Sequence, residues 1–241
     1  MITNFNKKGF TLLELLVVLA VSAIVMTGIY SAYINQQKAY LVQKDIVDIR
    51  QKLRGAMFIM QREIKMAGFD HSGGGSAGVI TASENEFSFT FVADQDEKDN
   101  NQDGEIDEAG ETEGIKYAFY TSEGIKKVGR AVMSSDDPIA FASQQPLAEY
   151  VDAVRFIYLD GDNEFLAYDS EGLTDQIRAV VVILVGRSEK EDIYYKDTKD
   201  YIDESGKLPE DDNIILPAPN DHFRRWQLTS IVQCRNLGLG Q

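Results

Sequence analysis

Two patterns in the chain carry residue types that could do chemistry: an acid-rich loop, and a single acid set in a long apolar run. Residues 94–113 hold ten acids and one lysine. Within them Asp99, Asn101, Asp103 and Asp107 fall at positions 1, 3, 5 and 9 of a twelve-position calcium loop. Gly104 sits at the sharp turn, the carbonyl of Glu105 at position 7 and Ile106 at the apolar eighth. Alternate residues supply oxygens because a hard cation takes roughly six to eight of them, and the glycine lets the chain wrap around it. Position 12 is Gly110, so Glu108 or Glu111 would replace the usual bidentate glutamate. The expected cofactor is calcium, held by Asp99, Asn101, Asp103, Glu105, Asp107 and Glu108; a solvated acidic loop without an ion is the plainer alternative. Asp160-Gly161-Asp162-Asn163-Glu164 is a weaker echo and reads as a hairpin turn.

The second pattern is Thr11-x-x-Glu14. Glu14 is the one charge among the 25 residues from Phe10 to Ile34. A carboxylate there can close a capping box with Thr11 at a helix start. It can also meet a cation on a neighbouring helix, the usual condition for burying an acid in lipid. Other motif letters lack their context. Gly74-Gly75-Ser76-Ala77-Gly78 spells a nucleophile elbow, but a helical pattern precedes it and β-type sequence follows, the reverse of what that turn needs. His71 and His222, the two histidines, lie in no zinc spacing. No catalytic residue is expected, and the chain reads as a non-enzyme.

The elements that must position Glu14 follow from periodicity. As a helix the 25-residue run is about 37 Å long, enough for a hydrocarbon core of roughly 30 Å. Lys7 and Lys8 in front of it predict a cytoplasmic N-terminus, with the rest of the chain on the other side. A secretory signal peptide has similar flanks, but this run exceeds the usual apolar region and the helical pattern continues past residue 36. Val42, Ile46, Ile49, Leu53, Ala56, Met60 and Ile64 are spaced three or four apart, an apolar stripe on a charged helix. One helix therefore runs from Phe10 to Met66, an anchor fused to a scaffold, and Ala67-Gly68-Phe69 ends it.

Charge divides the chain at the same place. Residues 1–66 carry a net charge of +5 and the remaining 175 carry −20. So acidic a head repels nucleic-acid phosphates, and nucleic acid is excluded as the main partner. Beyond residue 75 the pattern changes to β-type runs: Phe87–Val92, Ile115–Thr121, Val154–Leu159, Ile177–Val185 and Trp226–Cys234. The continuous apolarity of Ile177–Val185 predicts a central strand covered on both faces. Trp226, Leu228, Val232 and Cys234 share one face at period two, which makes the lone cysteine a core thiol. Tyr194, Tyr195, Tyr201 and the acids around them read as a polar surface insertion, with an exposed contact surface as the alternative. The expected fold class is α+β, a long N-terminal helix packed on an antiparallel β-sheet head.

The stretch Lys7-Lys8-Gly9-Phe10-Thr11-Leu12-Leu13-Glu14 resembles the class III signal of type IV prepilins and pseudopilins, with a short basic leader, a glycine at the cut, an aromatic first mature residue and Glu fifth in the mature chain. The resemblance implies a pilin fold and cleavage between Gly9 and Phe10 by a membrane prepilin peptidase, with methylation of the new Phe10 amino group. It also implies pairing of Glu14 with a neighbouring subunit's N-terminal ammonium. The corresponding divisions are a leader at 1–9, a transmembrane and assembly helix at 10–35, an amphipathic helix half at 36–68 and a β-rich head at 69–241. The segments "REIKMAGF", "VVILVGRS" and "FRRWQLTSIVQCRNLGL" are similar to PilW-type minor pilins, related to the GspJ-type minor pseudopilins of type II secretion. That likeness implies a subunit that helps to initiate pilus assembly, with the filament tip as its place. Its partners would be other minor and major pilins, the peptidase and the inner-membrane assembly platform. It would stand in the inner membrane with a periplasmic head before assembly, and in the pilus at the cell surface afterwards. A minor pseudopilin of a secretion system and a calcium-dependent adhesin on a pilin stem are the alternatives.

Overall fold

The computed structural model describes residues 9–70, 77–92, 112–134 and 137–238. By compactness the chain divides into Met1–Lys44 and Asp45–Gln241. Helix α1 (Leu12–Ile64) is followed by strands β1 (Val79–Ala82), β2 (Glu86–Phe91), β3 (Glu113–Ser122), β4 (Ile125–Ser134), β5 (Asp137–Phe141), β6 (Gln145–Glu149), β7 (Val151–Leu159) and β8 (Phe165–Leu166). The short helix α2 (Leu173–Gln176) and strands β9 (Ala179–Arg187), β10 (Tyr201–Ile202), β11 (Ile214–Leu216) and β12 (Arg225–Gln233) complete the order.

Within the larger unit, the stripe of α1 is the head's own core. Ile49, Leu53, Ala56, Met60 and Ile64 are buried as the spacing predicts, and Met57 joins them. Val42 and Ile46, at the near end of the stripe, are half-buried. Gly186 on β9 makes room for Leu53 and Ile49: a Cβ there would lie 3.0 Å from a Leu53 methyl and 3.2 Å from one of Ile49. The helix stops where expected. Gly68 takes φ 72°, a left-handed conformation that glycine adopts without steric cost, and its N–H donates to Thr90 O at 3.0 Å.

Two antiparallel sheets face that stripe. The first has the order β1-β2-β3-β4-β5 with β6 also beside β4; the second runs β12-β9-β7-β8. Hairpin β3–β4 turns through Glu123 and Gly124, both at positive φ, the geometry that matches strand twist. Phe87, Phe89, Tyr117, Phe156 and Tyr158 fill the space between sheets and helix, with ring centroids 5.4–6.5 Å apart in tilted pairs. All five strands expected from sequence are present.

β9 is covered on both faces, and each face has its own cause. Val180, Val182 and Leu184 point into the core under α1. Val181, Ile183 and Val185 point outward and are capped by Leu208, Tyr201, Ile215 and Leu216 from the segment between β9 and β12. That segment corrects the reading of a polar surface insertion at Tyr201, which is 3 % exposed and sits against the sheet, while Tyr194, 76 % exposed, lies on the surface as expected. A buried carboxylate organises it, since Asp203 accepts hydrogen bonds from Ser205, Lys207 and Leu208 backbone N–H groups and from the Ser205 hydroxyl. Burial pushes the Asp203 pKa up and these donors outweigh it, leaving the acid below its usual range.

The period-two face of β12 is borne out at three of four positions. Leu228, Val232 and Cys234 pack into the core, and burial pushes the Cys234 thiol up to about 12. Trp226 instead stays 38 % exposed, with the Arg50 guanidinium 3.7 Å above its ring. The segment Asp160–Glu164 is the hairpin turn it reads as, closed by Asp160 N–H to Glu164 O at 3.0 Å and joining β7 to β8.

Candidate functional site

The N-terminal site is built on the first turn of α1. Thr11 donates its backbone N–H to Glu14 Oε2 at 2.8 Å and its hydroxyl to the same oxygen at 2.9 Å. Glu14 N–H returns a bond to Thr11 Oγ1 at 3.3 Å, and Leu15 N–H makes the first full helical bond to Thr11 O. This is a capping box, formed because a threonine at the cap and a glutamate three residues on satisfy each other's free donors. Both bonds to the carboxylate fall on Oε2. Among the described residues Oε1 has no partner, so the same side chain can close the helix and present an oxygen outward. Gly9 and Phe10 precede the helix and are exposed, and α1 is long and apolar enough to cross a membrane.

Two ionic constellations in the head hold the scaffold that carries this helix. Glu63, near the end of α1, accepts the Tyr117 hydroxyl and Arg130 Nε, the latter at 2.8 Å, tying the helix to β3 and β4. Burial, then the bond to Glu63, push the Tyr117 phenol far above its ordinary value, so it stays protonated and donates. Arg225, at the start of β12 with its side chain 4 % exposed, is ringed by three aspartates. Its Nε meets Asp152 at 2.7 Å, two nitrogens meet Asp221 at 2.6 Å each, and Asp197 lies at 3.2 Å. Neither constellation was read from sequence. Their members lie far apart in the chain, and the one local signal was a pair of arginines, Arg224 and Arg225.

The residues expected to hold calcium, Asp99, Asn101, Asp103, Glu105, Asp107 and Glu108, lie outside the described residues, as do His71 and residues 74–76 of the Gly-Ser run. Among the described residues no group of three or more histidines, cysteines or acids is placed to hold a metal ion.

Residues 4–30 match the family model described as the prokaryotic N-terminal methylation motif. No curated protein matches the chain. Among solved structures, a type IV-like pilin from Thermus thermophilus aligns at 17 % identity with a TM-score of 0.51, covering 78 % of this chain and 97 % of that one. At that identity the likeness is one of fold. The chain thus carries the prokaryotic N-terminal methylation motif at its start and has a fold like that of a type IV-like pilin.

Proposed function

We propose that the chain is a minor pilin: cut between Gly9 and Phe10 by a prepilin peptidase, methylated on Phe10, and held in the inner membrane by residues 10–35 until it joins a growing pilus. Its place is at the start of assembly, at the filament tip, with the head on the periplasmic side and later at the cell surface. The observation that carries the reading is the joining of the methylation motif to a helix whose far half is the core of a β-sheet head. Such a chain has a lipid-compatible end and a folded end. In assembly, Glu14 pairs through its outward oxygen with the ammonium of a neighbouring subunit, which fixes axial register.

The test is the mass of the N-terminal peptide from membrane-extracted protein. It should begin at methylated Phe10, and Gly9→Val should leave Met1 in place. An intact Met1 on subunits incorporated into fibres overturns the reading. The minor pseudopilin alternative is separated by deletion, which then stops exoprotein release and leaves piliation intact.

Calcium binding by residues 99–108 is a second proposal, supported by the spacing of their oxygens. Full-length protein should melt several degrees higher in millimolar calcium than in EGTA, and Asp99→Asn with Asp103→Asn should abolish the difference. Equal melting of the unaltered protein in both buffers disposes of the site.

A further inference from the structure

The part of α1 that packs on the head has an outward side that nothing among the described residues covers. Phe58 is 66 % exposed there, leaving most of a large apolar ring in solvent. Gly55 lies one turn before it with open space beside its Cα, leaving a notch next to the ring. Arg54, Arg62 and Lys65 flank the pair, all exposed. Arg62 reaches Glu63 loosely at 3.9 Å, and Arg54 and Lys65 have no ion-pair partner among the described residues. A stripe of three cations around one aromatic ring is thus displayed on a chain whose residues 67–241 carry a net charge of −20.

The matching surface is on the same molecule. The loop between β10 and β11 exposes Glu204, Glu210 and Asp211, and Lys207 Nζ, bonded to Asn163 O at 2.9 Å, ties that loop to the acidic β7–β8 turn. Ile202 and Ile214 are register partners beside these acids and are 45 % and 48 % exposed. One patch is a ring among cations; the other is two isoleucines among carboxylates. Apolar side chains and charges of opposite sign are complementary across such a pair, which gives both burial and orientation.

We infer that the Phe58 stripe of one copy docks on the Ile202–Ile214 patch of a second copy. The two patches are different surfaces of the chain, so the contact is heterologous, and two copies joined by it keep one stripe and one acidic patch uncovered. This deepens the pilin reading and rests on it, because it assigns head-to-head register to residues other than Glu14.

The test uses the full chain in its membrane. A tagged Phe58→Cys copy and a differently tagged Ile214→Cys copy are co-expressed and oxidised; native Cys234 is buried and does not compete. The mixed-tag disulfide should dominate. Arg54→Glu with Arg62→Glu on the first copy should cut its yield at least tenfold, and Glu210→Lys with Asp211→Lys on the second should restore it. Same-site dimers alone, or a yield that follows the anionic lipid content and ignores these charges, overturn the inference. The N-terminal mass of the same sample separates the two claims. A chain starting at methylated Phe10 with no mixed dimer sinks the docking surface alone; a mixed dimer from a chain still carrying Met1 sinks the processing reading and leaves the surface standing.

Discussion

Arg225→Ala should lower the stability of the head by about 3–5 kcal/mol, the usual cost of leaving buried charge without its partner. For a domain near 200 residues that is a fall in Tm of roughly 6–20 °C, read by circular dichroism on detergent-solubilised full-length protein. The size follows from the surroundings. Asp152 and Asp197 have side chains 9 % and 0 % exposed, and both face the guanidinium. Without Arg225, Asp152 keeps Arg187 at 3.4 Å and Lys126 at 3.9 Å, whereas Asp197 is left with neutral tyrosine hydroxyls, that of Tyr201 at 2.7 Å among them. Arg225→Lys should recover only part of the loss, because an ammonium cannot supply the paired bonds to Asp221 and the bond to Asp152 from one position.

The same substitution has a pH signature. Hydrogen bonding to Arg225 holds the Asp221 pKa below its ordinary value. A carboxylate depressed in the folded state contributes stability above its unfolded pKa, near 3.9, and loses it as pH falls through the folded value. The gap between the unaltered protein and Arg225→Ala should therefore be full at neutral pH and narrow below about pH 4. A gap of constant size from neutral pH to about pH 3 would show that the arginine acts by packing and not by charge.

What could be read from the chain depended on whether the physical cause was local. The stripe from Ile49 to Ile64 was legible because a helix places residues three and four apart on one side, and that side had one use. β9 was legible because eight residues without a polar interruption before Arg187 leave no side for water. β4 was not, because its Lys126, Lys127 and Arg130 look like a solvated turn. Their partners are remote: Lys127 meets Glu149 on β6 at 2.7 Å, and Arg130 meets Glu63 on α1. β6 was hidden by Pro146, which an edge strand tolerates where the register slips beside Gly129. At the N-terminal site the capping bonds follow directly from Thr11-x-x-Glu14, whereas the convergence of both bonds on Oε2 is a matter of three-dimensional geometry.

Leu53→Ala should cost about 2–5 kcal/mol, and the loss should be confined to the head. Leu53 is 1 % exposed and its methyls lie against the backbone of Gly186. Truncating it opens a cavity where helix meets sheet, while Leu16→Ala, five residues after the capping box starts and on an exposed apolar turn, should leave head stability unchanged. Amide exchange on the full chain in detergent distinguishes the two: protection in β7, β9 and β12 should fall in Leu53→Ala and hold in Leu16→Ala. Gly186→Ala alone should also destabilise, because its new methyl would sit 3.0 Å from one Leu53 methyl and 3.2 Å from Ile49 in a packed core. Combined with Leu53→Ala it should cost less than the two losses added, since the methyl then enters the space the leucine left. A coupling of about 0.5–3 kcal/mol is expected for residues in contact. Strict additivity would mean that Leu53 and Gly186 do not share the contact that the helix stripe makes with β9.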